Sequence, residues 1–342
     1  MRSSKNTYGL LTHLSRSGST LLARMLDDFD RVCVTTEAEL PLELFGVKSY
    51  SPIEFRSADD TTHFIDNVLA KTRVTSWELS SKIILEKCEN LGYPVSGSDF
   101  VRILLSVYGE KFKPEATHII YKACPFMPWH IPEAAQHFSD TKFIHLLRDP
   151  RAVFHSQFKS IDPFTGKPFS KSALKTALDW KKAAELMSQV QLPNVAEIIY
   201  EDLILKPDKT LVKLLEFLEI SDRTRSGSRT PFASRMEDAD QDLHQDITLP
   251  PDPERMFAWK RHLSQRQLFY IDTFLGDLLH QKGYEPSPNK AGSTILIKIG
   301  YHLSLNSQGI FCMGRRMRRV VHNIWANPLH LFRRARLKLG HD

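Results

Sequence analysis

The fold is decided by the stretch Tyr8-Gly-Leu-Leu-Thr-His-Leu-Ser-Arg-Ser-Gly-Ser-Thr-Leu-Leu22, near the start of a chain of 342 residues. Its first seven residues form an apolar run that is typical of a short buried strand. Residues 15–20 are a turn of small residues, after which apolar residues recur at helical spacing. A strand, a small-residue turn and a helix N-terminus make an anion site, because the exposed N–H groups and the helix dipole both favour a phosphate.

The turn offers donors that could bind such an anion. The candidate anion-binding residues are Ser15, Arg16, Ser17, Gly18, Ser19 and Thr20. Gly18 lets the backbone approach the anion, although a serine here could instead only cap the helix. The phosphate loop of NTPases needs Gly-x-x-x-x-Gly-Lys-[Ser/Thr], whereas here Ser19 replaces the lysine and His13 the first glycine. The turn therefore favours a single 5′-phosphate that carries a sulfate over a triphosphate.

The rest of the chain alternates between strand and helix patterns. Strands are predicted at residues 32–36, 117–122, 142–147 and 195–200, and helical patterns at residues 62–112, 172–190, 208–218 and 264–282. Residues 221–256 show no clear period and are predicted to be a loop. This alternation predicts an α/β fold with a central, mainly parallel sheet flanked by helices.

A second motif, Arg148-Asp-Pro-Arg-Ala-Val-Phe-His-Ser156, follows the strand predicted at residues 142–147. Arg148 stands at the carboxyl end of that strand, where ligands bind in open α/β sheets. Ser156 lies two helical turns further on, so its hydroxyl can return to the same side. A guanidinium with a hydroxyl is a good receptor for a second phosphate. The alternative is that Arg148 only pairs with Asp149.

The two motifs resemble the 5′-phosphosulfate loop and the 3′-phosphate motif of sulfotransferases that use 3′-phosphoadenosine-5′-phosphosulfate (PAPS). The segment Tyr200-Glu-Asp-Leu-Ile-Leu-Lys-Pro207 and the pair Trp259-Lys260 are similar to two further nucleotide-side elements of that family. The resemblance implies a fold like that of P-loop NTPases, with Tyr200 and Lys260 near the nucleotide. It also implies transfer of a sulfuryl group from PAPS to a hydroxyl or amine, with no metal required.

Glu37 is our candidate for the general base that takes the proton of the acceptor. It stands at the end of the second predicted strand, 21 residues after Arg16, and the catalytic glutamate of tyrosylprotein sulfotransferases follows the loop arginine at the same offset. Glu39 is a neighbouring alternative. Other sulfotransferases use histidine as base, which leaves three further candidates. These are His13, His145 and His155.

Sulfuryl transfer resembles phosphoryl transfer, in which catalysis is mostly positioning and charge stabilisation. Arg16 and Lys122 are the candidates for stabilising the transferred group and the leaving oxygen. Lys122 ends the strand predicted at residues 117–122, in a region similar to the Lys-x-Pro element of related enzymes. The alternative for Lys122 is an ordinary surface lysine at a strand end.

The positive charge of the chain is concentrated at its C-terminus. From Lys290 onward there are ten Lys and Arg against one acid, while the preceding residues carry 36 basic and 39 acidic side chains. This distribution argues against a nucleic-acid-binding protein. We predict a catalytic domain at residues 1–289 and a basic amphipathic tail at residues 290–342. The tail is a candidate for contact with an anionic membrane surface or an acidic partner.

Several sequence features bound the setting and the partners of the protein. No signal peptide and no long apolar span are visible, and the four cysteines form no metal-binding cluster, so we expect a cytoplasmic protein. Residues 40–56 and 161–171 are predicted to border the acceptor, with aromatic and basic side chains that suit a sugar, a phenol or an acidic small molecule. Two rival functions are a kinase for a small metabolite and a catalytically silent nucleotide-binding relative.

Overall fold

The computed structural model describes residues 6–47, 53–70, 72–125, 127–163, 165–189, 194–227, 230–285 and 287. These residues belong to one compact unit, Met1–Ser287. The predicted basic tail lies outside the described residues, so its membrane or partner contact and the boundary at residues 289/290 stay predictions. No helix in the described ranges is long and apolar enough to cross a membrane.

The strands are short, as expected for a small α/β protein. In chain order they are β1 Thr7–His13, β2 Val32–Val34, β3 Glu54–Phe55, β4 Val95–Ser96, β5 His118–Lys122, β6 Lys142–Leu147, β7 Ile161–Asp162, β8 Lys167–Pro168 and β9 Val195–Ile199. Five of them form one sheet in the order β2-β5-β1-β6-β9, and every pairing in it is parallel. The predicted parallel α/β fold is therefore confirmed.

The helices flank this sheet and supply most of the remaining backbone hydrogen bonds. They are α1 Ser19–Asp27, α2 Ala58–Leu69, α3 Thr72–Thr75, α4 Ser81–Leu91, α5 Gly97–Phe112, α6 Ile131–His137, α7 Pro150–Lys159, α8 Ala173–Gln189, α9 Tyr200–Leu205, α10 Pro207–Phe217, α11 Asp238–Leu243, α12 Glu254–Phe257, α13 Trp259–His262, α14 Gln265–Leu275 and α15 Asp277–Gln281. Helix α7 begins with a proline at its first position, and the Asp149 carboxylate caps it by accepting a hydrogen bond from the Arg151 N–H at 2.8 Å.

The apolar core covers both faces of the sheet. Side chains alternate along a strand, so the neighbours Leu10 and Leu11 of β1 enter different clusters. Leu10 packs with the group that contains Phe100 of α5, and Leu11 with the group that contains Leu22 of α1. A third cluster forms around the buried Trp180 of α8. With both faces covered, ligands can approach the sheet only at its ends.

Two regions differ from the sequence prediction. The helical pattern at residues 62–112 is broken into α2, α3, α4 and α5, and the serine side chains of Ser80 and Ser96 cap the N-termini of α4 and α5. The loop predicted at residues 221–256 contains α11 and α12 and two 3₁₀ turns, Phe232–Arg235 and Gln245–Thr248. These elements are too short to show a hydrophobic period, which explains why they were missed.

A buried ion pair fixes this second region to the sheet. The guanidinium of Arg235 pairs with the carboxylate of Asp27 and donates to the Val34 carbonyl at 3.3 Å. The other oxygen of Asp27 accepts from the Val34 N–H at 2.7 Å. The side chains of the pair are only 1% and 2% exposed, so removing one partner would leave a buried charge. We call residues 232–257 the covering segment, because it continues from this anchor across the carboxyl ends of the strands.

Candidate functional site

A large cavity lies at the carboxyl ends of the parallel strands. Strand β1 is central, with β5 on one side and β6 on the other, so the chain leaves β1 at the point where the direction of connection reverses. Ligands of open α/β sheets bind in the crevice at such a point. The cavity has a volume of ≈ 1280 Å³. Sites for one small molecule measure roughly 300–1,000 Å³, so this cavity has room for a nucleotide and an acceptor together.

The turn between β1 and α1 forms one wall of the cavity, and its backbone requires glycine at one position. Gly18 has φ 92° and precedes the first residue of α1, and no described side chain caps this helix. A Cβ atom at Gly18 would also overlap the ring of Tyr200. Arg16 adopts a left-handed backbone as well, with φ 69°. The helix N-terminus is therefore left open toward the cavity, as an anion site requires.

The motif after β6 forms the adjoining wall and is joined to the turn. Arg148 donates one hydrogen bond to the Arg16 carbonyl at 3.1 Å and another to the Arg255 carbonyl at 3.2 Å. Its guanidinium also lies 4.2 Å from the ring centroid of Tyr200. Asp149 pairs with Arg151 instead, through two hydrogen bonds of 2.9 Å each. The alternative that Arg148 serves only as the partner of Asp149 therefore does not hold.

Positive charge at this wall is left without a matching carboxylate. Arg16 donates from Nε to the Ser156 hydroxyl at 3.2 Å, while its Nη1 and the Nε of Arg148 are buried and have no hydrogen-bond acceptor among the described residues. Burial and the adjacent positive charge of Arg148 lower the pKa of Arg16 to about 10, which still leaves it charged at neutral pH. A buried and a partly buried guanidinium group at one wall of the cavity favour the binding of an anion.

Glu37 lies on the opposite side of the cavity, at the end of β2. Its Oε2 accepts from the Lys122 ammonium at 2.7 Å and lies 3.5 Å from Nε2 of His13. Its Oε1 accepts from the guanidinium of Arg73 on α3. The side chain is 15% exposed, so the carboxylate is held by its neighbours while still reaching the cavity.

The charges around Glu37 determine the protonation of both it and His13. Burial alone would raise the pKa of Glu37, but the positive charges of Lys122 and Arg73, with His13, lower it well below its usual range. Burial lowers the pKa of His13 to about 4, although the Glu37 carboxylate acts against this shift. At neutral pH the side chains therefore include a carboxylate, an ammonium and an uncharged imidazole.

The covering segment also lines the cavity, and sequence reasoning missed two of its residues that contact other lining side chains, Asp240 and His244. Asp240 of α11 accepts a hydrogen bond from Arg73 at 3.2 Å, and Nε2 of His244 lies 3.3 Å from the Thr20 hydroxyl. Burial, and next to it the charge of Arg16, lower the pKa of His244 to about 3, so its imidazole is uncharged at neutral pH. The acidic first turn Asp238-Ala-Asp240 was the available signal for α11, because acids are enriched there.

Most of the predicted site residues line this one cavity. They are Ser15, Arg16, Gly18, Ser19, Thr20, Glu37, Lys122, Arg148, Ser156 and Tyr200. Ser17 is buried in the turn and is not among the residues that line the cavity. Lys260 is exposed, with its ammonium 4.8 Å from the ring centroid of Phe257, because α13 turns its preceding residue Trp259 into the core. The structure does not bring Lys260 to the cavity, and its nucleotide contact stays a prediction.

The alternative bases and the acceptor loops are placed differently from one another. His145 is buried in the sheet, 3.2 Å from the Thr12 hydroxyl, whereas His155 lines the cavity and stacks on His262. Glu39 also lines the cavity and is exposed. From the predicted acceptor regions, Phe169 lines the cavity, but the described residues between 40 and 56 do not, because their aromatic rings pack in the core.

No group of three or more histidine, cysteine or acidic side chains within the described ranges is arranged to hold a metal ion. Lys122 and Cys124 instead line the cavity beside Glu37, and the thiol of Cys124 has its pKa raised by burial.

Comparison with known proteins agrees with this architecture. The model of the family described as "Sulfotransferase family" matches residues 11–224. The sulfotransferase domain from the curacin biosynthetic pathway is 18% identical, with a TM-score of 0.50 over 82% of this chain and 99% of that chain. A sulfotransferase domain from the Synechococcus PCC 7002 olefin synthase is 19% identical, with a TM-score of 0.45 over 79% and 95% of the two chains. A mouse sulfotransferase complexed with PAP is 12% identical, with a TM-score of 0.38 over 80% and 85%.

Proposed function

Because the chain belongs to the sulfotransferase family, we propose that it transfers a sulfuryl group from PAPS to a hydroxyl or amine of a small acceptor. The observation that carries this proposal is the pair Arg16 and Arg148. Arg148 is buried and Arg16 is partly buried at the carboxyl ends of the central strands, and neither has a carboxylate partner in the described part of the chain. An adenosine that carries phosphates at both its 5′ and 3′ positions would supply the missing negative charge.

The donor would bind along the turn and the motif after β6. The open N-terminus of α1, with the hydroxyls of Ser19 and Thr20, suits the 5′-phosphosulfate. Arg148 and Ser156 suit the 3′-phosphate, and the hydrogen bond from Arg16 to Ser156 places a second guanidinium at the same end. The unsatisfied nitrogens of both arginines fit a group with several acceptor oxygens.

The donor supplies a sulfuryl group whose bond to the 5′-phosphate breaks as the acceptor oxygen or nitrogen bonds to sulfur. Glu37 would take the proton that the acceptor releases, as a carboxylate kept ionised by its neighbours. Lys122 contacts Glu37 and lines the same cavity, so its ammonium can stabilise charge on the transferred group and the leaving oxygen. Arg16 would act on the same charge from the side of the turn.

The acceptor would enter beside Glu37. The lining of the cavity includes the ring of Phe169, whose centroid lies 5.7 Å from the guanidinium carbon of Arg16, and polar side chains such as Ser160 and Asp162. An aromatic ring with hydrogen-bonding neighbours suits a sugar or a phenol. We therefore propose a small-molecule acceptor, and we expect sugars and phenols to be the first classes to test.

Binding of 3′,5′-adenosine diphosphate (PAP), the desulfated donor, tests the proposal directly. We expect calorimetry to show tight binding of PAP, with AMP weaker by about 100-fold or more because it lacks the 3′-phosphate. Arg148→Met should abolish most of the difference between PAP and AMP. Arg56→Met is the matched control, because Arg56 is an exposed arginine that does not line the cavity.

The other outcomes would contradict the proposal. Equal affinities for PAP and AMP would show that the protein has no binding site for the 3′-phosphate. Binding of ATP with Mg²⁺ in preference to PAP would favour a kinase for a small metabolite. Tight binding of PAP without sulfation of any sugar or phenol from labelled PAPS would favour a catalytically silent relative.

A further inference from the structure

A chain of three charged groups crosses the cavity wall beside the candidate base. Arg73 of α3 donates to Oε1 of Glu37 and, from its other terminal nitrogen, to Asp240 of α11 at 3.2 Å. The three side chains come from segments that are far apart in the sequence. Asp240 also lies beyond residue 224, where the match to the sulfotransferase family ends. The contact between Arg73 and Asp240 therefore involves a residue of the covering segment that lies outside the matched part of the chain.

All three groups are largely removed from solvent. The side chains of Glu37, Arg73 and Asp240 are 15%, 21% and 13% exposed. A guanidinium presents its donors in a rigid plane, so one that bonds two carboxylates fixes the position of each. Burial alone would lower the pKa of Arg73, but the carboxylates of Glu37 and Asp240 raise it, so Arg73 stays charged.

The same segment also fixes the backbone that carries Glu37. Trp77, four residues after Arg73, donates from its indole to the Thr36 hydroxyl at 2.8 Å. The Thr36 N–H in turn donates to the hydroxyl of Tyr108 at 3.3 Å. With the preceding residue held in this way, the remaining freedom of Glu37 is in its side chain, and Arg73 restrains that side chain.

We infer that Arg73 is a positioning residue that aims the Glu37 carboxylate at the acceptor, and that Asp240 holds Arg73 in place from the covering segment. The inference rests on the proposed function, because Glu37 is the base only in that reaction. It gives the covering segment a direct effect on the chemistry, since loss of the Asp240 contact would remove one of the restraints on the Arg73 side chain.

The titratable groups that face Glu37 come from several elements. Lys122 of β5, Arg73 of α3, Arg16 of the turn and Asp240 of the covering segment are charged, whereas His13 of β1 and His244 of the covering segment are uncharged at neutral pH. Removal of the Arg73 charge should raise the pKa of Glu37, because one of the cations that lower it is gone. Removal of the Asp240 charge should lower the pKa of Glu37 further, because a neighbouring anion is lost.

The test compares Arg73→Met, Arg73→Lys and Asp240→Asn in the full chain. With labelled PAPS and an acceptor that the wild type sulfates, Arg73→Met should lower kcat by about 10- to 100-fold. This is the effect of misplacing a catalytic group by about 1 Å. PAP affinity and the KM for the acceptor should change by less than about 3-fold, since other residues bind both ligands. Arg73→Lys should recover part of kcat, and Asp240→Asn should lower kcat by several fold. Asp242→Asn, an exposed acid on the same helix, is the matched control.

A second measurement does not depend on turnover. The Glu37 carboxyl can be titrated by NMR in protein labelled with ¹³C-glutamate, with Glu37→Gln used to assign its signal. We expect Glu37 to titrate at higher pH in Arg73→Met than in the wild type. If Glu37 titrates at the same pH in Arg73→Met as in the wild type, the contact between Arg73 and Glu37 is contradicted, whether or not PAP binds. Wild-type kcat in Arg73→Met, or loss of PAP affinity in parallel with kcat, would overturn the positioning role.

Discussion

The positively charged side chains at the two ends of the cavity have different hydrogen-bond partners. At the proposed donor end, around Arg16 and Arg148, the guanidinium groups bond to backbone carbonyls and a hydroxyl, and no carboxylate of the described residues pairs with them. At the proton end, around Glu37, the cations Lys122 and Arg73 bond to carboxylates. One end thus has net positive charge and the other is close to neutral.

This difference indicates a division of labour. A site with unmatched buried cations gains most of its binding energy from an anionic ligand, because the ligand supplies the missing partners. A neutralised ion cluster gains little from an anion, but it holds its members in defined positions. We therefore expect changes at the donor end to act mainly on nucleotide affinity, and changes at the proton end to act mainly on kcat.

The largest expected effect is at the proton end. Glu37→Gln should lower kcat by about 10²- to 10⁴-fold, because the amide cannot accept the proton of the acceptor. PAP affinity should stay the same or increase, since the substitution removes a negative charge from the cavity. Steady-state kinetics and calorimetry on the same preparation measure both. Glu39→Gln is the matched control, and a larger loss of kcat in Glu39→Gln than in Glu37→Gln would assign the base to Glu39.

A smaller effect is expected at the donor end from Gly18→Ala. An alanine there would adopt a strained backbone and its Cβ would overlap the Tyr200 ring. At about 1–3 kcal/mol for such strain, PAP affinity should fall by about 5- to 150-fold. The matched control is Gly227→Ala, because Gly227 has φ 84° but no neighbouring atoms. If both variants kept wild-type PAP affinity, the turn would not form the anion site.

The smallest expected effect is a change in the pH dependence of stability caused by His13. Its pKa is about 4 in the folded protein because the imidazole is buried, and about 6.5 is the ordinary value. As the pH falls below 6.5, His13 is therefore protonated in the unfolded chain before it is protonated in the folded protein. The contribution of His13 to the free energy of unfolding is present above pH 6.5 and is lost progressively toward pH 4. Between pH 7 and pH 5 this linkage should cost about 1–2 kcal/mol of unfolding free energy.

Urea unfolding at several pH values measures that cost. His13→Asn should lose less stability than the wild type between pH 7 and pH 5, because the asparagine does not titrate. His63→Asn, an exposed histidine on α2, is the control and should follow the wild type. A wild-type pH slope in His13→Asn would show that protonation of His13 does not contribute.

The proposed donor end was predictable because the residues within each of its two motifs are close together in the sequence. The turn at residues 15–20 and the motif from Arg148 to Ser156 each follow a strand, and parallel strands place their carboxyl ends at one edge. Strand order did not need to be known for this conclusion. Residue type and spacing alone indicated an anion site at each of the two places.

The proton end was only partly predictable. Glu37 and Lys122 follow strands and were found, whereas Arg73 and Asp240 lie on helices of four and six residues. Helices this short show no hydrophobic period, so neither the elements nor their contacts could be derived from pattern. Lys260 shows that a match in sequence does not by itself bring a side chain to the cavity. The pair Trp259-Lys260 resembled a nucleotide-side element, but the lysine side chain is exposed.

The sequence by itself determined the parallel α/β fold, and it predicted two anion-binding motifs and a candidate base, because each of these depends on local spacing and residue type. Only the tertiary structure decided which cations remain unmatched, that Arg148 faces the cavity while Arg151 pairs with Asp149, and that Arg73 joins Glu37 to Asp240. The physical reason is that charge compensation depends on distances between segments far apart in the chain, and those distances are fixed only when the core packs.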